Sequence, residues 1–190
     1  MEHEILPKWE AEFLTKLKKA SADQIWPLFE DFFNLHKWFP GLSTCYGIHG
    51  TNGEPGCIRY CAGFSLPSQE NNANGENPVS WSNERLVAVD PTQRSLSYEI
   101  VDCNIGFKSY SSKVRIIPGG DDGGDGCGIE WWITVDPVEG WKLEDLVKRY
   151  EVKLQLMAEK MEEDALRSSK KVLKMHFFSE RAKKISSCNK

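Results

Sequence analysis

Apolar positions in the last third of the chain recur at every third or fourth residue. Leu143, Leu146, Val147, Tyr150, Leu154, Met157, Met161 and Ala165 form one stripe, and no Pro or Gly interrupts the run from Trp141 to Arg167. This is the period of an α-helix with one buried face. At ~1.5 Å per residue, Leu143 to Leu166 predicts a rod of roughly 36 Å, and so long a helix needs a broad apolar surface to lie on. The preceding chain supplies it, because nearly every periodic segment from Trp9 to Pro137 alternates as a strand does.

The first strand is predicted over Trp9–Lys18. Ser21 with Gln24 three residues later marks a helix start of the capping-box type, and that helix buries Ile25, Trp26, Phe29, Phe32 and Phe33. Pro27 removes a backbone donor within it, which predicts a bend or a late start. Leu35–Phe39 is a second short helix, stopped by Pro40-Gly41. Six strands follow at about Thr44–His49, Gly56–Phe64, Val79–Asp90, Ser95–Asn104, Phe107–Pro118 and Gly126–Asp136. Asn52-Gly53, Asp90-Pro91 and the Gly119–Gly126 run separate them at hairpin spacing. With no room for crossover helices among these six, the sheet is antiparallel. The expected class is α+β: a curved seven-stranded antiparallel sheet wrapped around a long carboxy-terminal helix, with two short helices after the first strand.

Composition refines this picture. A chain of 190 residues with 40% hydrophobic content suits a single domain with a sizeable core. The formal charge of −4 conceals an asymmetry, since 8 of the 24 Lys and Arg, but only Glu180 among the acids, fall in residues 167–190. We therefore read 1–166 as an acidic ligand-binding domain and 167–190 as a basic amphipathic tail. The acidic body argues against a nucleic-acid partner. The tail, with Val172, Leu173, Met175, Phe177 and Phe178 among lysines and arginines, is either an extension of the long helix or a weak contact for an anionic membrane or a protein groove. No apolar run is long enough to span a membrane, and the start Met1-Glu2-His3-Glu4 is unlike a signal peptide, so a cytoplasmic location is expected. The six cysteines and four histidines lack metal-ligand spacing, so we expect reduced thiols, no metal site and no cofactor.

Two polar runs interrupt the strands. Gly119–Gly126 is acidic and Gly-rich but fits neither a calcium loop nor a phosphate-binding turn, and reads as a hairpin tip. Ser68–Asn77 reads as a polar loop or gate after Gly63-Phe64-Ser65-Leu66-Pro67.

A curved sheet closed by a helix leaves an interior that suits a small molecule. Arg59, in Gly56-Cys57-Ile58-Arg59-Tyr60-Cys61, and Glu84, in Ser82-Asn83-Glu84-Arg85-Leu86, sit mid-strand on predicted neighbours. Alternation groups Cys57, Arg59 and Cys61 on one face and Ile58, Tyr60 and Ala62 on the other, without saying which is inside. Outside, Arg59 and Glu84 form an exposed ion pair contributing under ~1 kcal/mol; inside, they are candidates for chemistry. The candidate ligand-lining set is His36, Phe64, Leu66, Tyr98, Tyr110, Trp131, Tyr150 and Leu154.

The order of elements, with Ala22-Asp23-Gln24-Ile25-Trp26-Pro27-Leu28 opening the first helix, resembles the START-like helix-grip superfamily. This is the plant polyketide cyclase/dehydrase and lipid-transport group that includes the major birch pollen allergen. The resemblance implies a helix-grip fold and a small apolar ligand that is carried or cyclised. Asn34-Leu35-His36-Lys37, Gly56-Cys57-Ile58-Arg59-Tyr60, Glu84-Arg85-Leu86-Val87-Ala88-Val89-Asp90 and Ser97-Tyr98 are similar to the lachrymatory-factor synthases. That likeness implies an isomerase for a small alkenyl sulfenic acid, in which Arg59 holds the sulfenic oxygen, Glu84 moves the proton, and Tyr98 and Tyr110 line the cavity. Ser65-Leu66-Pro67 followed by Asn83-Glu84-Arg85-Leu86 is similar to the abscisic acid receptors, which implies a ligand-gated regulator. The chain departs from that pattern with Ile105-Gly106-Phe107 in place of a His-Arg-Leu latch and with His36 or Lys37 at the carboxylate-binding lysine position.

Overall fold

The computed structural model describes residues 7–64, 79–119 and 126–188, apart from the side chains of Phe64 and 172–188. Leu66, the Ser68–Asn77 run, most of the Gly119–Gly126 run and the side chains of the tail therefore lie outside the described residues. The strands are β1 (Trp9–Leu17), β2 (Thr44–His49), β3 (Ile58–Phe64), β4 (Ser80–Asp90), β5 (Ser95–Cys103), β6 (Ser111–Pro118) and β7 (Cys127–Val135). They form one antiparallel sheet in the order β1-β7-β6-β5-β4-β3-β2. The chain thus begins at one edge, crosses to the other through α1 (Ala22–Glu30) and a 3-10 helix (Phe32–Lys37), and returns strand by strand. Register shifts between Gly47 and His49, Ala62 and Phe64, Asn83 and Glu84, and Leu86 and Ala88 interrupt the β2–β5 ladders. Such bulges bend a sheet, and here they coincide with the strands that bear Arg59 and Glu84.

The long helix α2 (Leu143–Cys188) closes the concave face. Leu146, Leu154, Met157, Ala158, Met161 and Ala165 are buried along it, so the expected stripe is the packed stripe. Its backbone continues well past Leu166, to 46 residues. Polar clasps fix its position. Glu162 Oε1 accepts the Lys19 and Ala20 backbone N–H groups at 2.6 and 3.2 Å, and Gln24 Nε2 donates to Ser169 Oγ at 2.8 Å. Gln24 also accepts the Ser21 N–H at 2.8 Å, which is the reciprocal bond of a capping box.

Three local expectations change. Helix α1 starts at Ala22 despite Pro27, and the bend comes instead at Asp31 (φ −74°, ψ 60°). The second helix occupies Phe32–Lys37 rather than Leu35–Phe39 and is of the tighter 3-10 kind, with Asn34 off helical geometry. Strand β6 starts at Ser111 rather than Phe107, because Ser109 takes a left-handed φ of 48° that breaks the extended chain before it.

Asp31 anchors the bend. Its Oδ1 accepts Asn34 Nδ2 and Asn52 Nδ2 at 2.7 and 2.8 Å, and its Oδ2 accepts Lys37 Nζ at 3.3 Å. Burial raises the Asp31 pKa, but these hydrogen bonds together lower it below the ordinary value. Asn52 Oδ1 accepts the Phe33 N–H at 2.9 Å, tying the 3-10 helix to the β2–β3 turn. Gly47 completes the fit, since a Cβ there would run into the Phe33 ring. The result places the Phe32 ring and carbonyl over β3.

Candidate functional site

Between the sheet and α2 lies a cavity of about 100 Å³. Aromatic side chains take up much of the space around it. Tyr98, Phe107, Tyr110, Trp131 and Tyr150 all reach its wall, and they pack on one another: Phe107 stacks on Tyr110 at 5.5 Å, and Tyr98 meets Trp131 edge-on at 6.3 Å. The Tyr110 and Tyr150 hydroxyls share a hydrogen bond of 2.8 Å. Burial raises the pKa of both phenols; Tyr150 and Tyr98 raise that of Tyr110 further, while for Tyr150 the Tyr98 charge adds to burial and the hydrogen bond with Tyr110 opposes it. Burial, then the Glu84 charge, raises that of Tyr98. All three remain neutral near pH 7, so each keeps a hydroxyl hydrogen to donate.

Glu84 reaches the same wall. It faces Arg59 across the β3–β4 ladder, and the two are 8% and 3% exposed. Glu84 Oε2 accepts Arg59 Nε at 2.8 Å and Nη2 at 2.6 Å, while Oε1 accepts Ser82 Oγ at 2.9 Å. Arg59 Nη1 donates to the Phe32 carbonyl at 2.8 Å. The guanidinium carbon stands 3.8 Å from the centre of the Phe32 ring and 5.1 Å from that of Tyr98. Burial alone would lower the Arg59 pKa. The Glu84 carboxylate, aided by Cys61, Cys45 and Tyr98, outweighs burial and raises it above the ordinary value. Arg59 is therefore a fixed cation, and three of its five N–H donors are engaged by described residues. It does not reach the main wall. It borders a smaller void of about 10 Å³ with Phe29, Phe32 and Leu96, so a molecule in the cavity meets Glu84 first.

The polyketide cyclase / dehydrase and lipid transport family matches residues 15–162, a span that holds strands β2 to β7, the cavity wall and most of the packed part of α2. The chain belongs to that family. Among curated proteins, abscisic acid receptor PYL7 of Arabidopsis thaliana is 29% identical over 129 residues, 67% of this chain. The chain spans only about half the length of that receptor, 54%. Solved structures share the fold at low identity. A norcoclaurine synthase point mutant of Thalictrum flavum is 20% identical with a TM-score of 0.59, covering 86% of this chain and 99% of that one. Ginseng major latex-like protein 151 of Panax ginseng is 16% identical with a TM-score of 0.60, covering 83% and 98%. The chain is thus a helix-grip protein of the cyclase and lipid-transport family.

The family fold brings together Glu84, Tyr98, Tyr110, Trp131 and Tyr150 of the candidate residues at one wall. Leu154 is buried in the helix stripe but does not reach that wall. His36 lies half-buried in the 3-10 helix, also away from the wall, and its Nδ1 has no partner among the described residues. Phe64 closes β3, and Leu66 lies outside the described residues. Among the described residues, no group of three or more His, Cys, Asp and Glu could hold a metal ion. No described helix is long and apolar enough to cross a membrane.

The helical reading missed Arg149 and Lys153, which also reach the wall. The signal was present, because they stand three and seven residues after Leu146, where a stripe calls for apolar side chains. The Arg149 guanidinium lies 5.5 Å from the Trp141 ring, and Lys153 Nζ lies 5.9 Å from that of Phe39. Burial, then repulsion from Arg149, lowers the Lys153 pKa. Neither cation has an ion-pair partner among the described residues.

Proposed function

We propose that the chain binds a small, largely apolar molecule in the cavity between the sheet and α2. The observation that supports this most is the size and chemistry of that cavity: about 100 Å³, walled by aromatic rings, with Glu84 at one side and Arg149 and Lys153 at another. An apolar cavity of ~150 Å³ accepts benzene, so a sterol or flavonoid enters this one only if the wall moves. Trp131 Nε1 is buried without a partner among the described residues, and Arg149 and Lys153 at the same wall lack an acidic one there. The ligand that answers these groups has a short apolar body with an oxygen acceptor, and an acidic group suits the two cations. Calorimetric titration with short-chain acids and aldehydes, against a sterol of the same apolar character, tests the reading. Stoichiometric binding of the small molecules alone supports it; binding of the sterol alone refutes it.

A second reading follows from the position of Glu84. A carboxylate at the wall, with one oxygen facing Ser82 and the other held by Arg59, suits proton transfer within a bound small substrate. Such a general base contributes ~10²- to 10⁴-fold in rate. Arg59, behind Glu84, then acts as a positioning residue. The lachrymatory-factor-synthase resemblance implies an alkenyl sulfenic acid as the substrate. On this reading Glu84→Gln, which keeps an oxygen for Arg59 but removes its countercharge and so lowers stability, keeps the fold and ligand affinity while conversion of such an acid falls by that factor. Unchanged conversion leaves the chain a binding protein.

A further inference from the structure

The cavity wall holds a second pair of reactive side chains that ligand binding does not use. Cys45 of β2 and Cys61 of β3 are directly opposed in register and are 5% and 1% exposed. The Cys61 thiol donates to Cys45 Sγ across 3.4 Å. Cys61 reaches the wall beside Ser82 and Glu84. Cys45 packs against Leu35, Phe39 and Leu42, which reach the same wall. Opposed residues of antiparallel strands hold their Cα atoms ~4.5–5.5 Å apart, within the ~4.4–6.8 Å that a disulfide spans. Closure therefore requires side-chain rotation and little strand movement.

The pair differs from the other buried thiols. Burial raises the pKa of Cys57 and pushes that of Cys127 up to about 11, which keeps both protonated and unreactive. The hydrogen bond from Cys61 lowers the Cys45 pKa against the opposing effect of burial, with help from the Arg59 charge and resistance from Glu84. The same bond, together with burial, raises the Cys61 pKa. One sulfur can thus ionise while its neighbour keeps the proton.

We propose that Cys45 and Cys61 form a dithiol which a small peroxide, reaching it through the cavity, oxidises to an intramolecular disulfide. The thiolate attacks one peroxide oxygen, the O–O bond breaks, and the departing hydroxide takes up a proton to leave as water. The sulfenic acid so formed is displaced by the second sulfur, which forms the S–S bond as its proton leaves with the hydroxyl as a second water. Two thiols are oxidised and one peroxide is reduced, giving one disulfide and two waters. A cavity of about 100 Å³, smaller than the ~150 Å³ that admits benzene, admits hydrogen peroxide but not a tripeptide disulfide. Oxidation also ties the edge strand β2 covalently to β3.

The test treats the reduced full chain with hydrogen peroxide or with glutathione disulfide and maps the products by peptide mass spectrometry. The proposal expects a Cys45–Cys61 cross-link with peroxide and none with glutathione disulfide. It also expects a thermal midpoint at least ~3 °C higher after oxidation, reversed by dithiothreitol. In Cys61→Ser, peroxide should leave a sulfenic acid on Cys45, read as one added oxygen on the Cys45 peptide, whereas Cys57→Ser should form the cross-link as the parent does. Recovery of both cysteines as free thiols, at a peroxide dose that oxidises the half-buried Cys103, overturns the proposal. So does equal cross-linking by glutathione disulfide, and both results are read on the unmutated protein.

Discussion

Glu84 and Arg85 are adjacent on β4, and each makes a cross-strand pair of the same chemistry. Glu84 meets Arg59 of β3 inside the sheet, with side chains 11% and 4% exposed, and Arg85 meets Glu99 of β5 outside, with 48% and 36% exposed. The bond lengths barely distinguish them, at 2.6 and 2.5 Å between the closest atoms. Their surroundings do. The inner pair is desolvated and depends on Phe32 and Ser82 for its remaining bonds, while water solvates the outer pair. A buried pair of this kind often stabilises a fold no better than packed apolar side chains. Of the two, only Glu84 reaches the cavity wall, and that position is what supports proposing a part for it in chemistry or ligand orientation.

The comparison can be broken in order of expected effect. Arg59→Ala strands a buried carboxylate and should cost ~3–5 kcal/mol in denaturant unfolding. Replacing the whole pair, as Arg59→Met with Glu84→Leu, should recover most of that loss. If the double variant is as unstable as the single one, the pair supports the fold and the functional contrast fails. Lys153 stands between the extremes, since it is part-buried with no acidic partner among the described residues. Lys153→Met should weaken binding of a small carboxylic acid by roughly 5- to 10-fold, about 1–1.4 kcal/mol, with little change for a neutral ligand. Because the Lys153 pKa is lowered, the cation is lost earlier as pH rises than for an ordinary lysine at ~10.4. Acid affinity should therefore fall as pH climbs through the lowered value, and Lys153→Arg should remove that step. Arg85→Ala is expected to change stability least, by under ~1 kcal/mol, and added salt should shrink even that.

Much of the architecture was legible in the chain. Helix α2 could be read because its stripe runs unbroken from Leu146 to Ala165, and the start of α1 because Ser21 and Gln24 satisfy each other. Arg59 and Glu84 could be placed on neighbouring strands but not on a face. Both faces of β3 hold apolar side chains, and the choice is made by Tyr60, which packs with Tyr46 and Trp81 on the outer face. The start of β6 was illegible because one left-handed residue, Ser109, outweighs the local alternation. The size of the hollow was also hidden. It depends on how Tyr98, Trp131 and Tyr150 of three elements interlock with Tyr110 of the loop before β6, and residue types alone do not fix that packing. Arg149 and Lys153 were visible as charges in an apolar stripe, and the periodic reading passed over them.

The central claim is an unfilled apolar space beneath α2 with Glu84 at its wall. Crystals of the protein under xenon pressure test it most directly, because xenon occupies apolar voids without needing a polar partner. The account predicts a xenon peak against Tyr98, Tyr110 and Trp131, near the Glu84 carboxylate. Peaks confined to the outer face, with those rings closed upon one another, would contradict it.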